Sequence, residues 1–308
     1  MKIGLLFSGQ GAQTVGMGKD LAAVDTATAE LFARANEILG YDLARIAFEG
    51  PKEELTRTAV AQPALYVHSY ACWQALKRRV PALDFVAAAG LSLGEFTAHA
   101  VAGTFTFEDG LRLVQRRAEA MQRACDETEG GMVAIIGAEE DGVRALAAAA
   151  DVDVANYNSP GQVVISGEAA KIAVAVGLAK EYGARKAVEL TVAGAFHSRL
   201  MESAYVSLKE ALAATPMNAP RVPVVCNVDA ISVTEPDAIR NALAEQVTGS
   251  VCWTDSIAYM VERLGCMRFI ECGPGAVLAG FVARINKNVP VVSVADCATL
   301  EAAVAQLS

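Results

Sequence analysis

The stretch from Asp84 to Glu95 constrains the fold of this chain more than any other segment. Its last six residues read Gly-Leu-Ser-Leu-Gly-Glu, and an apolar run rich in alanine precedes them. The apolar run predicts a buried strand, and the residues that follow, up to about Gly103, are typical of a helix. Two glycines between a strand and a helix permit a turn too tight for larger side chains, with Ser92 at its tip. We therefore predict an α/β fold built around this strand, turn and helix.

Ser92 is a candidate nucleophile. Its hydroxyl would be exposed at the turn, and the backbone N–H of Leu93 would point at an oxygen that becomes negative during acyl transfer. The alternative is a strand–turn–helix corner that carries a serine without catalytic use. A serine nucleophile needs a base to take its proton. Of the three histidines, His68 and His99 fall within helix patterns, whereas His197 follows a strand end, so we expect His197 to be the base rather than a capping histidine.

One arginine of the helix predicted from Thr106 to about Cys125 differs from the others. Arg117 projects at the edge of the apolar stripe, whereas the remaining arginines of this helix fall on the opposite face. An arginine that turns inward needs an anionic partner. Two partners remain open at this stage: an internal Asp or Glu, or the carboxylate of a substrate held by both arms of the guanidinium.

The order of the predicted elements divides the chain into two parts. Between Met132 and Val192 the pattern is βαββαβ, which predicts a compact ferredoxin-like unit. Elsewhere strands alternate with helices, which favours a mainly parallel sheet covered on both faces. Individual predictions include helices at 19–39, 51–57 and 62–79 and strands at 222–227 and 289–294. We expect the core to comprise 1–127 and 198–308, and an inserted subdomain to comprise 128–197.

Composition excludes several classes of function. The net charge is 26 − 35 = −9, which argues against wrapping nucleic acid. No apolar run reaches the length of a membrane span, and the apolar start is too short for a signal peptide. The seven cysteines show no spacing typical of metal ligands, so we expect no metal site. Buried thiols in a reducing cytoplasm are the simplest interpretation.

Several further motifs, taken in order, are those of one family. The chain resembles the malonyl-CoA:acyl-carrier-protein transacylases, the free-standing acyltransferases of bacterial type II fatty-acid synthesis. The likeness runs nearly from end to end and includes these segments: Gly9-Gln10-Gly11-Ala12-Gln13, Gly90 to Glu95, Arg117 before Met121-Gln122, Asn158 to Gln162, Phe196-His197-Ser198, Glu245-Gln246 and Glu271 to Gly275. Two positions depart from the usual pattern: Leu91 replaces the histidine before the nucleophile, and Ser8 replaces a proline.

The resemblance implies an α/β-hydrolase-like core with a ferredoxin-like insertion and a ping-pong reaction through malonyl-Ser92. It also implies a role for each of eight residues. These are the nucleophile Ser92, the general base His197, an oxyanion hole made by the backbone N–H groups of Gln10 and Leu93, substrate binding by Arg117, Phe196 and Met121, and a backbone carbonyl of Gln246 that orients His197.

The implied partners are malonyl-CoA, which is a substrate rather than a cofactor, and holo-acyl carrier protein. Carrier proteins of this class are acidic, so docking needs a local basic patch. Candidate patches are Lys77-Arg78-Arg79, the outer arginines of the Arg117 helix, and Arg284 with Lys287. A cytoplasmic monomer is the default expectation. The alternatives are a trans-acting acyltransferase of a polyketide synthase, a serine hydrolase or thioesterase, and a binding module without catalysis.

Overall fold

The computed structural model describes residues 2–307, which form two β-sheets surrounded by helices. The strands are β1 (Ile3–Phe7), β2 (Ala87–Gly90), β3 (Gly130–Ile136), β4 (Asp153–Ser159), β5 (Gln162–Glu168), β6 (Lys186–Glu189), β7 (Val224–Val225), β8 (Arg268–Cys272) and β9 (Val291–Val294). The helices are α1 (Lys19–Val24), α2 (Thr26–Leu39), α3 (Leu43–Glu49), α4 (Lys52–Thr56), α5 (Thr58–Arg79), α6 (Leu93–Ala102), α7 (Phe107–Glu127), α8 (Glu140–Ala150), α9 (Ala169–Leu178), α10 (Glu202–Ala214), α11 (Pro236–Glu245), α12 (Trp253–Glu262), α13 (Val277–Ile285) and α14 (Cys297–Leu307). The 3₁₀ turn Arg199–Met201 precedes α10.

The larger sheet has five strands in the order β7-β2-β1-β8-β9, and every neighbouring pair is parallel. Alternate side chains of β1 enter opposite cores: Leu5 packs with α5 and α14, whereas Leu6 packs with α12 and α13. The sheet is therefore covered on both faces, as predicted. Because all the strands are parallel, their carboxyl ends meet at one edge, where sites gather in open α/β sheets.

The smaller sheet has the order β4-β5-β3-β6 and is antiparallel throughout. Helices α8 and α9 pack on it around a core of its own that contains Val133, Leu146, Ile165 and Ile172. This strand order is that of a ferredoxin-like unit. The predicted α/β class, with a mainly parallel sheet and a smaller antiparallel sheet, is confirmed.

The helix predicted at 19–39 is wrong as a single element, because the chain breaks at Asp25. This residue is extended, with φ −129° and ψ 105°, and separates α1 from α2. Its carboxylate accepts a hydrogen bond from Thr28 and pairs with Arg78 of α5. Aspartate favours such local bonds over helix interiors, and here the bond to a distant arginine reinforces that preference.

Other differences concern the ends of elements. The predicted strand 222–227 shortens to β7, since Asn227 turns away to hydrogen-bond elsewhere. The helix predicted at 62–79 begins earlier, at Thr58, and its buried surface accommodates Pro63. Helices α3 and α14 were not predicted. Within residues 2–307, no helix has both the length and the apolar character needed to cross a membrane.

The turn between β2 and α6 predicts a large difference between two glycine substitutions. A Cβ added at Gly94 would lie 2.1 Å from the Phe7 carbonyl oxygen, whereas one added at Gly177 in α9 would meet no atom within 4 Å. We expect Gly94→Ala to lower the free energy of unfolding by about 1–3 kcal/mol or more. Gly177→Ala should instead raise it by up to about 1 kcal/mol. Urea denaturation of the two variants tests this, and equal stabilities would contradict it.

Candidate active site

Ser92 lies in a tight turn at the carboxyl edge of the parallel sheet. Its backbone has φ 52° and ψ −107°, a left-handed conformation that is strained for a non-glycine residue. The flanking glycines are required by close approach, because a Cβ on Gly90 would lie 1.9 Å from the Gly94 carbonyl carbon. The turn therefore holds the Ser92 side chain at the start of α6, as the sequence pattern predicts.

His197 contacts Ser92 directly. Its Nε2 lies 2.8 Å from Ser92 Oγ, and its Nδ1 lies 2.8 Å from the backbone carbonyl oxygen of Gln246. Because a carbonyl oxygen can only accept, Nδ1 carries the hydrogen, and in a neutral ring Nε2 is left free to accept from the serine hydroxyl. His197 also has a positive φ, 56°. The connection after β6 thus aims the ring at Ser92 in the tautomer of a general base.

Burial, assisted by the nearby Arg117 cation, lowers the pKa of His197 to about 4. The ring is therefore neutral at physiological pH, which is the state a base needs. The other two histidines lie elsewhere: His68 Nε2 contacts Cys72 Sγ at 3.5 Å, and His99 Nδ1 contacts Thr104 Oγ1 at 2.9 Å. Both are buried within the helical core.

Arg117 is a buried cation without a carboxylate partner among residues 2–307. Only 1% of it is exposed. Its Nη1 donates to Gln62 Oε1 at 2.7 Å, and its Nη2 donates to Ser92 Oγ at 2.9 Å and to Gln246 Oε1 at 2.8 Å. Its Nε has no partner in the described chain. The internal salt bridge that the sequence left open is therefore not formed.

The electrostatic setting keeps Arg117 charged. Burial lowers the pKa of Arg117 to about 10, while the charge of Glu95 acts in the opposite direction. The guanidinium also stacks over the Phe96 ring, with 5.5 Å between Cζ and the ring centroid. A positive group supported by neutral acceptors beside a serine hydroxyl retains the capacity to bind an anion.

Two backbone N–H groups adjoin the serine and have no acceptor within residues 2–307. One belongs to Gln10 in the turn after β1, and the other to Leu93, the first residue of α6. Gln10 and Ser92 line the same cavity. These free donors, one of them at a helix N-terminus, suit an oxygen that carries negative charge.

The cavity beside Ser92 has a volume of about 390 Å³ and is mostly apolar. Phe196 and Met121 form part of its wall, and Leu91 lies next to the serine. The antiparallel sheet, the chain after β6 and α13 contribute further apolar lining, namely Met132, Val164, Leu190, Val192, Val277, Leu278 and Phe281. The structure thus brings the sequence-predicted residues to one place: the side chains of Gln10, Met121, Phe196 and His197 at the cavity, and Arg117 and Gln246 behind Ser92.

Three residues of this site were not assigned from the sequence: Gln62, Asn227 and Glu95. Gln62 holds Arg117, and Asn227 Oδ1 accepts the Ser92 backbone N–H at 2.6 Å. Glu95 is fully buried, and burial raises its pKa to about 7 despite hydrogen bonds from Gln246 and Asn227 that lower it. The sequence feature that could have identified them is a polar residue within an apolar stretch, and it is clearest for Gln62 of α5.

Comparison with known proteins agrees with this arrangement. The family described as "Acyl transferase domain" matches residues 5–298. A malonyl CoA-acyl carrier protein transacylase of Bacillus subtilis (strain 168) is 41% identical, over 99% of this chain and 97% of the relative.

Two solved structures have folds very similar to that of this chain. An acyl-carrier-protein-S-malonyltransferase from Bartonella henselae has a TM-score of 0.94 at 38% identity and covers 100% of this chain and 99% of its own. A malonyl-transacylase solved in complex with a type II polyketide synthase acyl-carrier protein has a TM-score of 0.94 at 36% identity, covering 99% of this chain and 100% of its own. With a serine and a neutral histidine at one cavity and a buried arginine behind the serine, this chain belongs to the acyl transferase family and is an acyltransferase.

Proposed function

We propose that this enzyme transfers malonyl from malonyl-CoA to the phosphopantetheine thiol of holo-acyl carrier protein through a malonyl-Ser92 ester. The observation that carries the proposal is the buried Arg117, whose Nη2 lies 2.9 Å from Ser92 Oγ and which forms no ion pair within residues 2–307. A malonyl group on that serine would bring a free carboxylate to this cation. The names of the related transacylase and malonyltransferase support the same substrate.

In the first half-reaction, Ser92 Oγ attacks the thioester carbonyl while His197 Nε2 takes the hydroxyl proton. The Gln246 carbonyl keeps the other ring nitrogen protonated, 2.8 Å away, and so fixes the tautomer. The backbone N–H groups of Gln10 and Leu93 stabilise the oxyanion. The C–S bond then breaks, and the CoA sulfur leaves with the proton that His197 returns.

In the second half-reaction, the carrier's phosphopantetheine thiol attacks the ester carbonyl of malonyl-Ser92. His197 takes the thiol proton and returns it to Ser92 Oγ as the C–O bond breaks. The same oxyanion donors serve both steps. The substrates and the named residues supply every atom and proton of this scheme.

Arg117 would select substrates with a free carboxylate, because an acetyl group leaves the cation without an anion. Phe196 and Met121 border the cavity beside the serine and would limit the size of the acyl group, which favours malonyl over methylmalonyl. A site built to pair a polar group discriminates strongly against an analogue that lacks it.

We also propose that residues 128–197 form a subdomain inserted between the two core segments, 1–127 and 198–308. The antiparallel sheet and its separate apolar core support this division. The cavity is lined by strands of the antiparallel sheet and by turns and helices of the core, such as the turn at Ser92 and α13, so the acyl group would be bound where the two parts meet. All the catalytic residues named above belong to one chain, so the proposed activity needs no second copy, and a cytoplasmic monomer stays our prediction.

The carrier would dock beside α13. Of the candidate patches, Lys77-Arg78-Arg79 is occupied: Arg78 pairs with Asp25, Arg79 with Glu301, and Lys77 Nζ donates to two backbone carbonyls. Arg284 is exposed, donates to the neutral Gln162 side chain at 2.6 Å, and lies on the helix that lines the cavity. Arg284 with the exposed Lys287 is therefore available to an acidic partner.

The proposed activity is tested by intact-protein mass spectrometry after brief mixing with malonyl-, acetyl- or methylmalonyl-CoA. We expect one malonyl adduct on the wild type, discharged by holo-carrier protein, and none on Ser92→Ala. Release of free CoA without transfer to the carrier would identify a hydrolase instead, and absence of both adduct and CoA release would identify a binding module. Parallel reactions with fatty-acid and polyketide carrier proteins distinguish the two transferase alternatives.

Arg117→Ala should reduce kcat/KM for malonyl-CoA about 10- to 150-fold, while kcat/KM for acetyl-CoA falls much less. The reason is that the variant removes the partner of the malonyl carboxylate, and lost charge-assisted bonds of this kind cost about 1.5–3 kcal/mol. Steady-state transfer assays with both thioesters measure the ratio. Arg116→Ala, an exposed position on the same helix, is the matched control. Equal losses for both thioesters would reject the carboxylate interaction.

The three histidine rings should titrate far below their ordinary value of about 6.5. We expect His197 to stay neutral, with hydrogen on Nδ1, from pH 8 down to near its pKa of about 4. Arg117→Ala removes a positive charge that repels protonated His197, so the pKa of His197 should rise. Imidazole ¹⁵N chemical shifts report the tautomer and the pKa together. His68 and His99 serve as internal controls, and a wild-type midpoint near 6.5 would contradict the structure.

Charge reversal at Arg284 and Lys287 should raise KM for the carrier protein about tenfold, since steering by opposite charges acts mainly on association. KM for malonyl-CoA should not change. The comparison variant is Arg116→Glu with Arg123→Glu, which reverses two exposed charges on α7. If only the α7 variant raised KM for the carrier protein, the docking surface would lie at α7 and not at α13.

A further inference from the structure

The backbone of Ser92 is held from both sides by side-chain amides. Asn227 Oδ1 accepts the Ser92 N–H at 2.6 Å, and Gln246 Nε2 donates to the Ser92 carbonyl at 2.9 Å. Asn227 Nδ2 also donates to the Gly90 carbonyl at 2.8 Å. A serine with a strained φ of 52° persists only where its surroundings over-determine it, and these two amides supply that constraint.

Glu95 connects the two amide residues. Its Oε2 accepts from Gln246 Nε2 at 2.6 Å and from the Asn227 backbone N–H at 3.0 Å. Its Oε1 is buried and has no partner within residues 2–307. Oε2 can accept both bonds whether or not the carboxyl is ionised, because a proton would sit on Oε1.

These contacts settle which way the Gln246 amide points. Both hydrogens of its Nε2 are directed at acceptors, Ser92 O and Glu95 Oε2, so Oε1 must face the other way. There it accepts from Arg117 Nη2 at 2.8 Å. If the amide turned over, two donors would meet at Arg117, and the guanidinium would lose one of its fixed supports.

We propose that Glu95 is a positioning residue that acts through Gln246 and Asn227, fixing the Ser92 turn and the orientation of Arg117 toward the acyl carboxylate. The second part of this role rests on the proposed malonyl transfer, whereas the first does not. The Glu95 side chain reaches the reacting atoms through these two partners, whereas its backbone N–H donates to the Ser92 carbonyl at 3.1 Å whatever the side chain. Its hydrogen-bond acceptor, rather than its charge, performs the positioning.

Two substitutions separate the acceptor from the charge. Glu95→Gln keeps an oxygen that can accept from Gln246 and Asn227 and places its amide nitrogen where Oε1 had no partner. Glu95→Ala removes the acceptor and leaves two buried N–H donors unpaired. Asn227→Ala releases the Ser92 N–H but leaves the bond between Gln246 and Arg117. Thr97→Val, a buried position on α6 outside these contacts, is the matched control.

Two quantities are measured for each variant. The first is the rate at which a fluorophosphonate probe labels Ser92, which requires no particular acyl substrate. The second is the ratio of kcat/KM for malonyl-CoA to that for acetyl-CoA. Thermal unfolding accompanies both measurements.

We expect Glu95→Ala to slow labelling about 10- to 100-fold and to lower the malonyl-to-acetyl ratio about tenfold. Glu95→Gln should stay within about threefold of the wild type in both, and Thr97→Val should match the wild type. Asn227→Ala should slow labelling with the ratio unchanged, which keeps the proposal testable if Glu95→Ala does not fold.

If Glu95→Gln slowed labelling and lowered the malonyl-to-acetyl ratio as much as Glu95→Ala does, the proposal would be overturned, because the charge of Glu95 would then be the property that matters. An unchanged ratio in a folded Glu95→Ala would overturn the link to Arg117. If the wild type transferred no malonyl, the proposed function would fail, yet the labelling rates would still decide whether Glu95 positions Ser92.

Discussion

A guanidinium held in the interior without a carboxylate is the constraint on which this site depends. Taking Arg117 out of water is costly, and the protein offsets that cost with two glutamine carbonyls, a serine hydroxyl and an aromatic face. Neutral acceptors are enough to keep the cation buried but not to neutralise it. The remaining attraction for an anion is therefore available at the serine, where the proposed chemistry uses it.

Several polar groups of the site come from distant parts of the chain, and the parallel sheet brings them together. The turn after β1 carries Gln10, the turn after β2 carries Ser92, and the chain beyond β7 carries Asn227. All three follow strands that end at the same edge. The antiparallel sheet contributes a wall of the cavity rather than any of these polar groups, with Met132 and Val164 as examples.

Local patterns predict much of this architecture, since the tight turn at Ser92, the βαββαβ order and most helices depend on neighbouring residues. The break at Asp25 was missed because a distant arginine reinforces it, and β7 was overextended because Asn227 bonds to α6. Periodicity could orient Arg117 inward but could not choose its partner, which depends on Gln62 and Gln246, 55 and 129 residues away. The roles of the site residues stay predictions that the proposed experiments test.

The anchor of His197 is a main-chain atom, the carbonyl oxygen of Gln246. Every amino acid carries that oxygen, so no amino-acid substitution at position 246 removes it. An aspartate side chain in the same role could be lost by a single substitution. The side chain of Gln246 serves Arg117 and Ser92 separately. Position 246 therefore combines a backbone carbonyl that substitution cannot remove with a side chain that can vary. Substitution of that side chain among relatives would change the environment of Arg117, and so the choice of substrate, while the hydrogen bond that orients His197 is kept.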